Sequence, residues 1–165
     1  MLTFDVIAFA QLSVHELYSI LTLRQLVFSV EQRCAYLDCD DKDQASLHLL
    51  GRNASGRLLA YARLLPPGVS YPESSIGRVV CHPDVRRTGT GQRLMQEAIH
   101  KTRQAFGSGA IRIGGQLYLQ RGAALLPHRR RVDLGVAPRL AERRVARRQG
   151  VRRRGRARGP YRRDP

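Results

Sequence analysis

The stretch that decides the fold is Ile76-Gly-Arg-Val-Val-Cys-His-Pro-Asp-Val-Arg-Arg-Thr-Gly-Thr-Gly-Gln-Arg-Leu-Met95, where an apolar strand pattern runs through a turn into a helical pattern. The turn contains Arg86-x-x-Gly89-x-Gly91. Glycine lets the backbone bend tightly and approach a ligand without a Cβ in the way. The free N–H groups at the start of the following helix point into the same space. Such a turn favours an anion, most often a phosphate.

Two other phosphate motifs are excluded by spacing. No Gly-Lys-Ser/Thr follows the glycines, so the turn is not a Walker loop, and the Gly-x-Gly-x-x-Gly spacing of dinucleotide-binding folds is absent. Arg86 and Arg87 add positive charge at the mouth of the turn. A purely structural strand-to-helix turn is the alternative to a phosphate site.

The rest of the chain predicts a layered fold that mixes strands and helices. Apolar runs and helical stripes predict, in chain order, a strand at Phe4–Phe9, a helix at Val14–Ser29, strands at Ser46–Arg52, Leu58–Leu65 and Ile76–Cys81, a helix at Thr90–Phe106 and a strand at Ala110–Leu119. Ser13 and Glu16 have the spacing of a capping box at the first helix. The order predicts an α/β (α+β) layer structure with a three-strand meander before the second helix.

Charge divides the chain into two parts. The 165 residues carry a formal net charge of +16, but residues 121–165 hold 16 Arg and only 3 acids, whereas residues 1–120 hold 13 Lys+Arg and 10 acids. We therefore expect a nearly neutral domain over 1–120 and an Arg-rich, disordered tail over 121–165. A tail of this kind binds nucleic acid through its charge, which is one alternative function for the protein.

Other sequence features indicate a protein of the cytoplasm. The three cysteines, Cys34, Cys39 and Cys81, have neither the even number nor the spacing of a disulfide framework, so free thiols are expected. Cys34 and Cys39 are too few for a zinc site without matching partners elsewhere, and no metal is predicted. No signal peptide is recognisable, and no apolar run reaches the length of a membrane span.

Several segments together resemble the ElaA-like branch of the GNAT acetyltransferase superfamily. The turn Arg86-x-x-Gly89-x-Gly91 resembles the pyrophosphate loop of that superfamily. Residues 17–40 resemble the first helix and loop of the branch, and His48-Leu-Leu-Gly51, Ala60-Tyr-Ala-Arg-Leu-Leu-Pro-Pro-Gly68 and Ile76-Gly-Arg-Val-Val80 resemble its next three strands. The resemblance extends over Phe4 to Gln120.

This resemblance implies a site for acetyl-CoA and an amine acceptor, either a small molecule or a protein amine. The implied cofactor-binding residues are Val79, Val80, Cys81, Arg86, Arg87, Thr88, Gly89, Thr90 and Gly91. The pantetheine arm would pair with the strand Arg78 to Cys81, and the thioester would lie where that strand and Ala110–Leu119 separate. A backbone N–H near Val79 to Cys81 would polarise the thioester carbonyl during direct attack by a neutral amine.

The acceptor side has candidates of lower specificity. Glu31 is a candidate base or amine-binding anion, and the substrate-side positions are Arg24, Gln32, Tyr36, Asp38 and Asp40. The structural alternatives are that Tyr36 packs, that Asp38 and Asp40 are solvated, and that Arg24 pairs with Glu31. His48 is expected to be a hydrogen-bonded core histidine. Cys81 is expected to be buried, and an acyl-cysteine route is not favoured.

After Gln120 the sequence departs from the family pattern, which continues with a Phe-Tyr helix, Gly-Phe and a last strand. We expect the last helix–strand pair to be missing, the strand at Ala110–Leu119 to form a bare edge, and activity to be impaired. A frameshift near codon 120 is one explanation, because Leu125-Leu-Pro-His128 can be encoded so that the next frame gives Phe-Tyr. A genuine basic tail is the other.

Overall fold

The computed structural model describes residues 1–115 and 132–136. Its regular elements are β1 (Thr3–Ala8), α1 (Val14–Gln25), β2 (Leu47–Arg52), β3 (Leu58–Leu65), β4 (Ser74–Cys81), α2 (Thr90–Phe106), β5 (Ile111–Gly115) and β6 (Val132–Val136). Every element predicted up to residue 115 is present, with small differences at the ends.

The strands form one mixed sheet in the order β1-β2-β3-β4-β5-β6. The pairs β1/β2, β2/β3 and β3/β4 are antiparallel, whereas β4/β5 and β5/β6 are parallel. The predicted meander of β2, β3 and β4 is therefore confirmed. Because β4 and β5 are parallel, α2 must carry the chain back across one face of the sheet before β5 begins.

Helix α1 begins at the predicted capping box. The Glu16 N–H donates to Ser13 Oγ at 3.2 Å, and the Ser13 N–H donates to Glu16 Oε2 at 2.9 Å. The predicted end at Ser29 is wrong in detail, because the α-helix stops at Gln25 and continues as a π-helical turn over Leu26–Glu31. That turn is a wider helical form, common at functional sites, and it brings Glu31 to the end of the helix.

Each face of the sheet packs against one helix. On one face, α2 buries Leu94, Ala98 and Ile99 against residues of β2 to β5. On the other face, α1 and its π turn bury Ile20, Leu23 and Val27 against Leu50, Tyr61 and Val80. β4 therefore lies between the two helices, with Ile76 on the α2 face and Val80 on the α1 face.

A β-bulge interrupts β4 at Arg78. The register between β3 and β4 shifts between Tyr61 and Arg63, and Arg78 has φ +50°. Ile76 packs on the α2 face, and so do Val79 and Cys81, whereas Val80 packs on the α1 face. In an unbroken strand, residues three apart would lie on opposite faces, so one extra residue has been inserted here.

Beyond residue 115, the structure describes only β6, which pairs with β5 along its length. The expectation that β5 is a bare edge is wrong, because Val132–Val136 forms a strand beside it. In this short segment apolar residues alternate with Asp133 and Gly135. The rest of the predicted tail, and the Phe-Tyr frameshift position, lie outside the described residues.

Candidate functional site

The sheet opens between β4 and β5. The parallel pairing stops at Ile76 and Ile113, although β4 continues to Cys81 and β5 to Gly115. Among the residues that the structure describes, none pairs with the last five residues of β4 on the side of β5. Parallel strands that part at their carboxyl ends leave a cleft, and ligands of open α/β sheets bind in such clefts.

Cys81 presents its backbone to this cleft. The His82 N–H donates to the Leu59 carbonyl at 2.8 Å, directly beside the pair Ala60 and Cys81. In an antiparallel ladder this places Cys81 in a non-hydrogen-bonded pair, so its N–H and C=O are turned away from β3. By the same alternation Val80 turns its N–H toward β3. An extended ligand arm can therefore add to β4 through Cys81.

The turn between β4 and α2 has the geometry of an anion nest. Arg87 and Gly89 have φ of +62° and +80°, and Gly89 is the N-cap of α2. The Gly89 carbonyl accepts the first helical hydrogen bond from the Arg93 N–H at 3.1 Å. The N–H groups of Thr90 and Gly91 therefore have no partner within the helix and point along its axis toward the turn.

Side-chain hydrogen bonds brace this turn. Thr88 Oγ1 donates to the Val85 carbonyl at 2.8 Å and lies 2.8 Å from Thr90 Oγ1. A Cβ placed on Gly91 would lie 4.0 Å from Cys81 Sγ, so the first turn of α2 comes close to the end of β4. The nest thus lies next to the open backbone of Cys81.

Arg86 and Glu31 meet at the mouth of the cleft. Arg86 Nη2 donates to Glu31 Oε2 at 2.6 Å, and Arg86 Nε donates to the Cys81 carbonyl at 3.1 Å. The expected pairing of Arg24 with Glu31 is wrong, because the π turn directs Glu31 toward Arg86. Glu31 therefore neutralises one of the two arginines predicted to face a phosphate.

A ring of six alternating charges lies on the α1 face, and we name it the ionic ring. Its members in order are Arg24, Asp43, Arg63, Asp40, Arg78 and Asp38, with ion-pair distances from 2.6 to 3.0 Å. Arg24 and Arg63 are 0% and 3% exposed. Three guanidiniums and three carboxylates cancel, so the ring satisfies the requirement that buried charges be paired.

The ring changes the acid–base properties of its carboxyls. Burial alone would raise the pKa of Asp40, but the Arg63 and Arg78 guanidiniums outweigh it and lower that pKa to about 2. Burial also opposes ionisation of Asp43, and its bonds to Arg63 and Arg24 hold its pKa below the usual value. Both aspartates are therefore ionised near neutral pH.

The predicted substrate-side residues thus fall into two groups. Arg24, Asp38 and Asp40 are members of the ionic ring, so the alternative that the two aspartates are merely solvated is wrong. Tyr36 is partly exposed and packs beside Phe28, with ring centroids 6.2 Å apart. Burial is the main reason that the pKa of Tyr36 rises to about 12. Gln32 lies in contact with Cys34.

The sequence analysis missed Arg63, Arg78 and Asp43. The sequence contains a signal for all three residues. Arg63 and Arg78 interrupt apolar strand patterns, and Asp43 belongs to an acidic loop that precedes both strands. Charged residues in such strands are almost never buried unless they are paired. An arginine in a core strand therefore indicates a buried carboxylate elsewhere in the chain.

His48 is the buried core histidine that was expected, whereas Cys81 is only partly buried. His48 is fully buried, with Nδ1 2.9 Å from the Tyr61 hydroxyl and Nε2 3.1 Å from the Asp43 carbonyl oxygen. Burial lowers the pKa of His48 and raises the pKa of Cys81 to about 11. Cys81 is therefore a thiol near neutral pH, which disfavours an acyl-cysteine intermediate.

The described residues contain no candidate metal cluster and no candidate membrane-spanning helix. In residues 1–115 and 132–136, no group of three or more His, Cys, Asp or Glu side chains is arranged to hold a metal ion. In the same part of the chain, no helix has the length and apolar character needed to cross a membrane.

Comparison with known proteins finds relatives along most of the described chain. The family model for the Acetyltransferase (GNAT) family matches residues 14–126. A UPF0039 protein of Schizosaccharomyces pombe is 48% identical over 61% of this chain and 65% of its own length. Protein ElaA of Escherichia coli is 35% identical over 67% of this chain and 73% of its own.

Two solved structures are similar to this chain over most of its length. The crystal structure of Escherichia coli ElaA matches with a TM-score of 0.70 and 32% identity, over 75% of this chain and 84% of that one. An acyl-CoA N-acyltransferase from Pseudomonas aeruginosa matches with a TM-score of 0.69 and 34% identity, over 75% of this chain and 86% of that one.

Proposed function

The chain belongs to the GNAT acetyltransferase family, and from this premise we propose that it transfers an acetyl group from acetyl-CoA to a primary amine. The predicted resemblance to ElaA is confirmed by the sequence and structural matches to ElaA itself. The observation that carries the proposal is that the open backbone of Cys81 lies next to the nest at Gly89 and Gly91. The backbone suits an amide-bearing arm and the nest suits a pyrophosphate, and in CoA the pantetheine arm joins the pyrophosphate directly to the sulfur of the thioester.

The proposed contacts follow from the backbone groups in the cleft. The N–H and C=O of Cys81 would pair with pantetheine amides, and the N–H groups from Arg87 to Gly91 would bind the pyrophosphate oxygens. Arg86 would have to exchange its bond to the Cys81 carbonyl for a ligand contact. An acyl-CoA N-acyltransferase at 34% identity has the same fold, which supports this choice of co-substrate class.

The reaction would proceed by direct transfer. The amine nitrogen attacks the thioester carbonyl, the N–C bond forms as the C–S bond breaks, and CoA leaves as a thiolate. The attacking nitrogen loses a proton to water or a base, and the thiolate takes one up. A backbone N–H in the β4 cleft stabilises the oxyanion. For Glu31 to act as the base, its ion pair with Arg86 must first open.

Two further proposals concern the setting of the enzyme. The three cysteines are all free thiols, which supports a reducing compartment such as the cytoplasm. The expected impairment of activity rests on the departure of residues 121–165 from the family pattern and stays a prediction. Nucleic-acid binding through the Arg-rich tail also falls outside the described residues, and no described feature favours it.

Thermal unfolding with and without acetyl-CoA tests the cofactor proposal. A ligand that binds only the folded state adds ~2.7 kcal/mol at a hundredfold excess over its Kd, which for a domain of this size raises Tm by about 10 °C. The test variant is Gly89→Asp together with Gly91→Asp. The matched control is Gly56→Asp, because Gly56 has the same φ of +80° in the turn between β2 and β3.

The two variants separate strain from ligand binding. Both place a side chain in left-handed backbone and should lower Tm without ligand. The variant with Gly89→Asp and Gly91→Asp should lose the rise in Tm caused by acetyl-CoA, whereas Gly56→Asp should keep it. A wild-type chain that unfolds cooperatively with no shift would refute the cofactor proposal. Release of CoA thiol in the presence of a panel of primary amines then tests transfer itself.

A further inference from the structure

Arg78 connects the ionic ring to the cofactor strand. It is the member of the ring that lies on β4, and it occupies the bulge with φ +50°. A non-glycine residue in the left-handed region is strained and persists only where its surroundings hold it. Contacts from neighbouring residues must therefore hold Arg78 in this conformation.

The side chain of Arg78 is held from several directions by the loop after the π turn. Its Nε lies 2.7 Å from Asp38 Oδ1 as a charge contact, and its Nη2 donates to Asp40 Oδ2 at 3.0 Å and to the Asp38 carbonyl at 3.1 Å. The guanidinium also lies over the ring of Tyr36, 5.4 Å from its centroid. This set of contacts fixes one side-chain position and resists a change in the backbone that carries it.

The two aspartates are themselves anchored in the core. Arg24 Nε donates to Asp38 Oδ2 at 2.8 Å, and Arg63 donates to both oxygens of Asp40 at 2.6 and 2.8 Å. Arg24 belongs to α1 and Arg63 to β3, and both are buried. The loop that contacts Arg78 is thus anchored to α1 and to β3 by hydrogen bonds from buried arginines.

The bulge determines which backbone groups of β4 face the cleft. Without the extra residue, the face and hydrogen-bonding alternation of the residues after Arg78 would be reversed. Val80 rather than Cys81 would then present its N–H and C=O to the cleft, and Cys81 would turn toward β3. The open backbone at Cys81 therefore depends on the conformation of Arg78.

We propose that Arg78 is a positioning residue, which Asp38 and Asp40 hold in the left-handed conformation so that β4 keeps its bulge and presents Cys81 to the cofactor. Asp38 and Asp40 then act through Arg78 on the cofactor strand rather than on the amine acceptor. The purpose assigned to the bulge rests on the proposed function, but the bulge itself can be measured in the ligand-free protein.

The test compares Arg78→Ala with Arg78→Gly in the full chain. Both variants lose the ring contacts, but glycine adopts φ +50° freely and alanine does not. The matched control is Arg52→Ala, because Arg52 is 19% exposed against 18% for Arg78 and also bridges two carboxylates. The first readout is the set of backbone amide NMR signals at residues 79–81 without ligand, and the second is the Kd of CoA by calorimetry.

The expected result is a difference between the two Arg78 variants. In Arg78→Ala the amide signals of residues 79–81 should move and the Kd of CoA should rise about tenfold, because the apparent Kd increases as the bulged population falls. Arg78→Gly should keep the signals near those of the wild type and bind CoA within about threefold of it. Arg52→Ala should change neither readout.

Two results would overturn the proposal. One is an Arg78→Ala chain with wild-type amide signals at 79–81, and the other is an Arg78→Gly chain that loses those signals as fully as Arg78→Ala. If Arg78→Ala does not fold, Asp38→Asn with Asp40→Asn decides instead, and unchanged signals there refute the proposal. Moved amide signals in a protein whose wild type binds no CoA would support the positioning role while refuting the proposed function.

Discussion

Asp43→Asn is the sharpest test of the ionic ring, because Asp43 is its most buried carboxylate. Asp43 Oδ1 accepts from Arg24 Nη1 at 2.9 Å and from Arg63 Nη1 at 2.8 Å, and the residue is 7% exposed. The substitution keeps the shape of the side chain but removes the charge that faces two buried guanidiniums. Asparagine can still offer one carbonyl oxygen to one of the two arginines.

The magnitude follows from the cost of an uncompensated buried charge. Removing one partner from a buried ion pair lowers the free energy of unfolding by about 3–5 kcal/mol. Since asparagine retains an acceptor, the lower end applies, and we expect a loss of about 3 kcal/mol. For a domain of this size that corresponds to a fall in Tm of about 12 °C. Replacing the aspartate with alanine should cost more, because no acceptor would remain.

The assay is denaturant unfolding at neutral pH, with Asp41→Asn as the control. Asp41 lies two residues away in the same loop, is exposed, and has φ +57°, a conformation that asparagine tolerates well. The control should stay within about 0.5 kcal/mol of the wild type. A loss for Asp43→Asn no larger than that of Asp41→Asn would refute the argument that the ring is held by its charges.

The pH dependence gives the same argument a second check. The folded pKa of Asp43 lies below its ordinary value of 3.8. The stability that its ionised form supplies is therefore fully present above pH 3.8 and is lost as the pH falls through the folded pKa. The gap between wild type and Asp43→Asn should narrow over that acidic window. A gap that stays constant to the lowest pH at which both chains fold would contradict this assignment.

Three further predictions concern the cleft and the core. Glu31→Gln frees Arg86 for the pyrophosphate and should lower the Kd of CoA about threefold; calorimetry checks this, and weaker binding would show that Glu31 instead helps to orient Arg86. Burial lowers the pKa of His48, so the free energy of unfolding should fall as the pH drops below the ordinary value of 6.5. Denaturant titrations at several pH values should show a weaker pH dependence of this free energy in His48→Gln than in the wild type. An equal pH dependence in the two chains would exclude His48 as its source. Burial raises the pKa of Cys81 to about 11, so iodoacetamide should label it far more slowly than exposed Cys39 at neutral pH; peptide mapping by mass spectrometry measures both rates, and equal rates would contradict the burial.

Much of the fold followed from patterns that act over a few residues. The capping box of Ser13 and Glu16, the apolar stripe of α2 and the turn at Gly89 are all determined by neighbours within one or two helical turns. The anion nest was also local, because a glycine N-cap with φ +80° creates it wherever the strand and helix pack. These features made the strand–turn–helix unit predictable before any contact across the sheet was known.

The candidate site was less predictable where it depends on partners that are distant in the chain. The sequence offered Glu31 as the partner of Arg24. The structure pairs Arg24 with carboxylates 14 and 19 residues away, and Arg78 with carboxylates 40 and 38 residues away. Ion pairs between distant residues follow no repeat along the sequence. The spacing of residues therefore could not predict which aspartates of the loop pair with Arg24 and Arg78.

The sequence by itself determined the order of the elements, the glycine turn and the anion nest, because backbone conformation and helix capping are set by adjacent residues. Only the tertiary structure decided the π turn that brings Glu31 to Arg86, the addition of β6 to β5, and the bulge at Arg78. The π turn and the bulge are local departures from regular geometry that are stable only because contacts from other elements compensate for them, and β6 is a strand through its pairing with β5. Those contacts join residues that are distant in the chain, so no short segment of the sequence could predict them.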